Sequence, residues 1–207
     1  MTHKEFINKV TNSHKDFISE FINILKFNRM PFCVIGGLAV NAYVEPVVSL
    51  DLDVVVVVPE VIAACGEPRP CGRGTPRSAL AGARRALRLR KGINNLIKLL
   101  RKRYKVSIYQ HSINVAYSQS DLRIQIQIDP RYQSFIGKAR VKNVLGYRLP
   151  VARIEDVFQG KTWAAQDPKR RPSKRQKDLS DIQRMLEVKP SLAKLLPQSL
   201  KDRLITK

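Results

Sequence analysis

The sequence predicts an α+β protein: a mixed sheet flanked by helices, with a smaller helical part at the C-terminal end. Three observations predict it. Two short apolar runs, "FCVIGG" and "LDLDVVVVV", stand either side of a helix-length spacer and read as strands. Three segments between Tyr104 and Asp129 alternate apolar and polar residues with a period of two. Beyond residue 150 the apolar residues recur at helical spacing instead. We expect a sheet-bearing domain over 1–150 and a helical region over 151–207.

The elements follow in order. Thr2 and Glu5 form a capping box for a first short helix. Ser13 and Asp16 offer caps for a second, in which Phe17, Phe21 and Leu25 fall on one face and Pro31 follows as a breaker. "FCVIGG" is a buried strand running into a glycine turn, "LAVNAY" a helix of under two turns, and "LDLDVVVVV" a strand closed by Pro59. "INNLIKLLRKRY" is a helix with Ile93, Leu96, Ile97 and Leu100 on one face. "YKVSIYQ", "INVAYSQ" and "LRIQIQID" are strands, and "RVKNVLGYRLPV" is a strand pair turning near Gly146. "ARIEDVFQGKTWAAQ" and "QKDLSDIQRMLE" are helices separated by a polar loop, "DPKRRPSKR". A helical tail interrupted by Pro197 ends the chain. No internal repeat is visible.

Composition narrows the function. The 207 residues carry 38 Lys and Arg against 17 Asp and Glu, a formal net charge of +21. Such a balance favours a polyanionic partner, nucleic acid or nucleotide phosphate. The stretch 61–91 differs from the rest, being built of Ala, Arg, Gly and Pro with eight basic residues and one acid. It reads as a nucleic-acid arm, a basic linker or a foreign or frameshifted insertion. Cys33 suits a core strand, and Cys65 and Cys71 lack the spacing and second pair of a zinc site. No run reaches the ~18 apolar residues of a membrane span, and the N-terminus lacks an apolar signal core. A cytoplasmic protein with no membrane partner is expected.

Chemistry concentrates in two places. Gly36 and Gly37, between strand and helix, permit close approach of a phosphate to the backbone, or form no more than a tight turn. Asp51 and Asp53, two apart on a strand, share one face. Two such carboxylates repel one another unless a cation lies between them, and a hard cation such as Mg²⁺ takes carboxylate and phosphate oxygens together. The bland reading is a solvated strand end. Asp129, which ends "RIQIQID" before Pro130, is either a third ligand converging on the pair or a turn-initiating residue. With it, one or two ions would orient a nucleoside triphosphate for in-line attack by a hydroxyl. No Ser/His/Asp or Cys/His nucleophile arrangement is visible among His3, His14 and His111.

These residues resemble a known pattern. Gly36-Gly37, thirteen residues and then Asp51-Leu52-Asp53 is similar to the G-[GS]-x(9–13)-D-x-[DE] signature of the DNA polymerase β-like nucleotidyltransferases. "FCVIGGLAVNAYVEPVVSLDLDVVV" with "IEDVFQGKTWAA…KRQKDLSDIQRML" resembles the AbiEii/AbiGii type, many of which are toxins of toxin–antitoxin and phage-defence systems. The resemblance implies a nucleotidyltransferase-type sheet with Mg²⁺ or Mn²⁺ on Asp51, Asp53 and Asp129. It places the nucleotide at Gly36, Gly37, Ser49, Lys161, Lys177 and Asp178, with Asp181 in the same helical motif. Val47 and Ser49 depart from the arginine and threonine that relatives carry there. Lys161 has the alternative of a surface lysine beside Trp163, and Asp178 and Asp181 that of a solvated helix face.

The implied activity is metal-dependent transfer of NMP from an NTP to a hydroxyl acceptor, with tRNA or another RNA favoured by the charge. A cognate antitoxin is the expected protein partner. The alternative is a catalytically degenerate domain acting as an antitoxin-like or nucleic-acid-binding module. An enzyme modifying cationic antibiotics ranks last, since a strongly basic surface repels such substrates.

Overall fold

The computed structural model describes residues 1–57 and 93–204. The stretch 61–91, with Cys65 and Cys71, lies outside the described residues. Helices α1 (His3–Val10) and α2 (Phe17–Phe27) precede β1 (Phe32–Ile35), α3 (Gly36–Val40) and β2 (Asp51–Val56). After the helix α4 (93–101) come β3 (Lys105–Ile108), β4 (Ser112–Ala116) and β5 (Arg123–Gln127). A 3₁₀ turn (Pro130–Tyr132), α5 (Gln133–Ile136), β6 (Arg140–Val144) and β7 (Tyr147–Val151) follow. The described chain closes with α6 (Ile154–Gln166), α7 (Pro172–Val188), a second 3₁₀ segment (Pro190–Leu195) and α8 (Gln198–Leu204).

The local signals act as their chemistry requires. The Thr2 hydroxyl accepts from the Glu5 amide while Glu5 accepts from the Thr2 amide, and Asp16 accepts from the amide and hydroxyl of Ser19 at the head of α2. Gly146 turns β6 into β7 with φ of +83°. One expectation shifts: α7 begins at Pro172, inside the stretch read as a polar loop. Proline fits a first helical turn, where its missing N–H has no partner to lose.

Seven strands form one mixed sheet in the order β3-β4-β5-β2-β1-β7-β6. β1 and β2 are antiparallel, and each has a parallel outer neighbour, β7 and β5 respectively. The register decides which side chains share a face. Ile35 pairs with Asp53 and Asp53 with Gln125; Cys33 pairs with Val55 and Val55 with Gln127. These residues leave the sheet on one side. The alternating set, Val34, Leu52, Val54, Ile124 and Ile126, lies on the other and is fully buried.

The core is continuous from Phe17, Phe21 and Leu25 through the sheet to Phe158, Ile182 and Met185. A buried aliphatic side chain of this kind contributes about 1.5–3 kcal/mol. Strand β2 therefore stands rigidly at the centre of the sheet, and its two polar residues are fixed relative to the helices beside them.

Candidate active site

Asp51 and Asp53 open β2, and Gly36 closes the antiparallel β1, so the chain's own pairing brings acids and glycine turn together. Gly36 has φ of +68°, and a Cβ there would lie 2.0 Å from Asp53 Oδ2. Glycine is needed for conformation and for space. Gly37 packs against Ser49, a Cβ at Gly37 falling 3.3 Å from Ser49 Oγ. Ser49 is itself buried, with its hydroxyl 3.4 Å from the Asp51 carbonyl. Replacing Gly36 with alanine is expected to cost about 1–2 kcal/mol from the left-handed backbone alone. Asp53 would also be displaced, a shift of the size that lowers turnover about 100-fold. Urea unfolding and turnover measured on the same variant check this; unchanged turnover would contradict it.

Burial holds the Asp53 carboxyl at about 6, well above its ordinary 3.8; Lys161 draws it down and Asp51 adds repulsion. Asp51 is about one-third exposed and meets the Lys174 ammonium at 3.2 Å. Two carboxylates on one face, one of them buried against its own charge, form a donor set that fits a hard divalent cation.

Lys161, from α6, stands across from the pair. It is only 7% exposed and is gripped by Asp178 at 2.9 Å and Asp181 at 2.7 Å, both from α7. Burial pulls its pKa down, but the two carboxylates outweigh that and hold the ammonium charged. Arg170 binds the other oxygen of Asp178 at 2.6 Å, and Arg184 binds Asp181 at 3.0 Å. Lysine 161 is thus a clamped, buried cation rather than a surface lysine on Trp163, and Asp178 and Asp181 are interior residues rather than a solvated helix face.

Two sequence expectations need correction. Asp129 does not converge with Asp51 and Asp53. The ladder sets Asp53 beside Gln125, and Asp129 lies four residues further, about 13 Å of extended chain. Its buried carboxylate instead caps the 3₁₀ turn and forms a fork with the Arg131 guanidinium, 2.8 Å at the closest contact. Burial would raise its pKa, but the Arg131 hydrogen bonds and charge prevail and lower it. Among the described residues no three His, Cys, Asp or Glu side chains gather as a metal cage. Lys177 is exposed and lines neither of the cavities at the acid pair, because its position on α7 faces away from the interior residue Asp178.

The residues that do reach the pair are Arg170, Lys174, Gln125 and Tyr132. Arg170 and Lys174 lay in the loop-like "DPKRRPSKR", whose only visible signal was a cluster of basic residues ahead of a helix. Two cavities meet at Asp53, Gln125 and Arg170. The smaller, about 110 Å³, runs past Gly36 and Lys161 under Tyr132 and Phe135. The larger, about 380 Å³, opens over β3–β5 and is lined by Lys105, Arg123, Lys174 and Tyr109 as well as both aspartates.

A strand-borne acid pair, a glycine turn and a clamped lysine on a mixed sheet define a nucleotidyltransferase. The chain belongs to the AbiEii family: the family described as "Nucleotidyl transferase AbiEii toxin, Type IV TA system" matches residues 23–206. No curated protein matches the chain significantly. Among solved structures it is similar to the crystal structure of ANT(2″)-Ia in complex with adenylyl-2″-tobramycin, with a TM-score of 0.55 and 12% identity over 90% of this chain and 95% of that one. It is also similar to the solution structure of the antibiotic-resistance factor ANT(2″)-Ia, with a TM-score of 0.51 and 13% identity over 90% of each chain. At that identity the likeness is one of fold. No helix among the described residues is long and apolar enough to cross a membrane.

Proposed function

We propose that the chain transfers NMP from an NTP to a hydroxyl of tRNA or another RNA, using Mg²⁺ or Mn²⁺ held by Asp51 and Asp53, and that a cognate antitoxin restrains it. The observation that carries this reading is the acid pair at the junction of two cation-lined cavities. When bound there, a divalent ion would neutralise phosphate charge and lower the pKa of the attacking hydroxyl.

The chain's own residues supply the rest. Gly36 leaves room for the Asp53 carboxylate itself, which fills the space a Cβ would take. Lys161 donates to Asp178 and pairs its charge with Asp181, which fixes the ammonium beside the smaller cavity. Arg170 adds positive charge where the cavities join. The acceptor oxygen bonds to the α-phosphorus, the bond to the bridging oxygen breaks, pyrophosphate leaves and the hydroxyl proton passes to solvent. Lys105 and Arg123 give the larger cavity a phosphate-binding wall, and exposed Tyr109 offers a face on which a base can stack. That lining suits a polyanion better than a cationic antibiotic.

The test is incubation with each α-labelled NTP, Mg²⁺ or Mn²⁺ and total tRNA. Label is expected in the tRNA with release of pyrophosphate, and none with Asp51→Ala or Asp53→Ala. Wild-type protein indistinguishable from these variants would overturn the enzymatic reading. The non-catalytic alternative draws support from Gln125, the amide that neighbours Asp53. It predicts tRNA retained on a filter without transfer of label.

A further inference from the structure

We propose that Gln125 occupies the position of a third acidic ligand and so limits the centre to a single divalent cation. The inference rests on reading Asp51 and Asp53 as cation ligands and goes beyond it by fixing how many ions they take.

The parallel ladder between β2 and β5 sets Asp53 directly beside Gln125. Adjacent strands lie about 4.8 Å apart, so the two side chains rise together from one face. Gln125 lines both cavities at their junction, as Asp53 does. Its side-chain amide has no hydrogen-bond partner among the described residues. A carboxylate here would complete a three-acid site across two strands; an amide adds an oxygen but no charge.

Of the other acids that line the two cavities, Asp178 is committed to Lys161 and Arg170, and Asp156, one of whose buried oxygens has no hydrogen-bond partner among the described residues, lines the smaller cavity but not the larger. The charge count points the same way. Asp51 and Asp53 together balance one divalent ion. A second ion in the larger cavity would face Arg170 and Lys174 with no further carboxylate in that lining to offset it.

The experiment titrates metal-stripped protein with Mn²⁺ alone, following the free ion by electron paramagnetic resonance. Wild type is expected to bind one Mn²⁺ per chain at this centre, and Asp53→Asn to lose it. Gln125→Glu, which keeps shape and adds charge, is expected to bind a second ion or to hold the first at least tenfold more tightly. Gln125→Asp serves the same purpose should the longer acid impair folding, with thermal melting as the control. Two ions on wild type, or acid variants that titrate like wild type, would overturn the inference and leave the acid pair as ligands. No Mn²⁺ on wild type, with Asp53→Asn identical to it, would instead remove the reading of the pair itself.

Discussion

Asp53→Asn is expected to abolish nucleotidyl transfer, by about 1,000-fold or more, while making the metal-free protein more stable at neutral pH. The catalytic loss follows from removing the proposed cation ligand, which lines both cavities, since stabilising transition-state charge with a bound ion is worth several kcal/mol. The gain in stability follows from burial. In the folded chain the Asp53 carboxyl titrates at about 6 rather than 3.8. Below pH 4 it is protonated in folded and unfolded chains alike and costs nothing. As pH rises toward 6 the unfolded chain releases this proton more readily, so stability falls. Above 6 the full penalty applies, up to about 3 kcal/mol for a shift of this size. Urea unfolding in EDTA should therefore show the variant ahead of wild type at pH 8 and level with it at pH 3.5. A difference independent of pH would contradict the burial argument. Asp51→Asn should lose activity to a similar extent without the gain, because Asp51 is partly solvated and already faces Lys174.

Lys161→Met is expected to destabilise the protein by about 3–5 kcal/mol and to remove activity. Two carboxylates nearly sealed from solvent lose the cation they share, and an uncompensated buried charge costs about that much. Arg170 and Arg184 continue to hold one oxygen each of Asp178 and Asp181, which places the expected cost toward the lower end. The triple variant Lys161→Met, Asp178→Asn, Asp181→Asn should recover most of the stability, since whole buried ion networks can often be replaced at little net cost. It should recover none of the activity. Urea midpoints and transfer assays on both proteins test this; a triple variant no more stable than the single one would contradict it.

The sequence disclosed what local chemistry writes and concealed what pairing at a distance decides. The β1–glycine–β2 unit was legible because its residues are near neighbours and its two strands pair antiparallel. The acid pair was legible because an i, i+2 spacing on a strand leaves no choice of face. Asp129 was misplaced because a parallel register between β2 and β5 is set across some 70 residues, and a strand's alternation fixes faces but not its offset. Arg131, two residues on, carried the clue, since an Asp-Pro-Arg sequence can close its own turn and ion pair. Lys177 enters the sequence reading only through the resemblance of its helix to a family motif, whereas Arg170 and Lys174 sit in a basic run that carries no motif of its own. The inward face of α7 is the one that carries Leu179, Ile182 and Met185, and Asp178 and Asp181 are buried with it while Lys177 is exposed. The burial of Lys161 required knowing that α6 and α7 face one another, which no single segment records.

Trp163 is the sequence's one tryptophan. Its ring stacks on Phe135 with 14° between planes and meets Tyr132 edge-on, and both partners wall the smaller cavity. The Arg131 guanidinium lies 5.3 Å from the same ring. The molecule accordingly carries a built-in optical sensor: emission from a lone indole packed on two walls of the adjoining chamber registers events there without any attached dye.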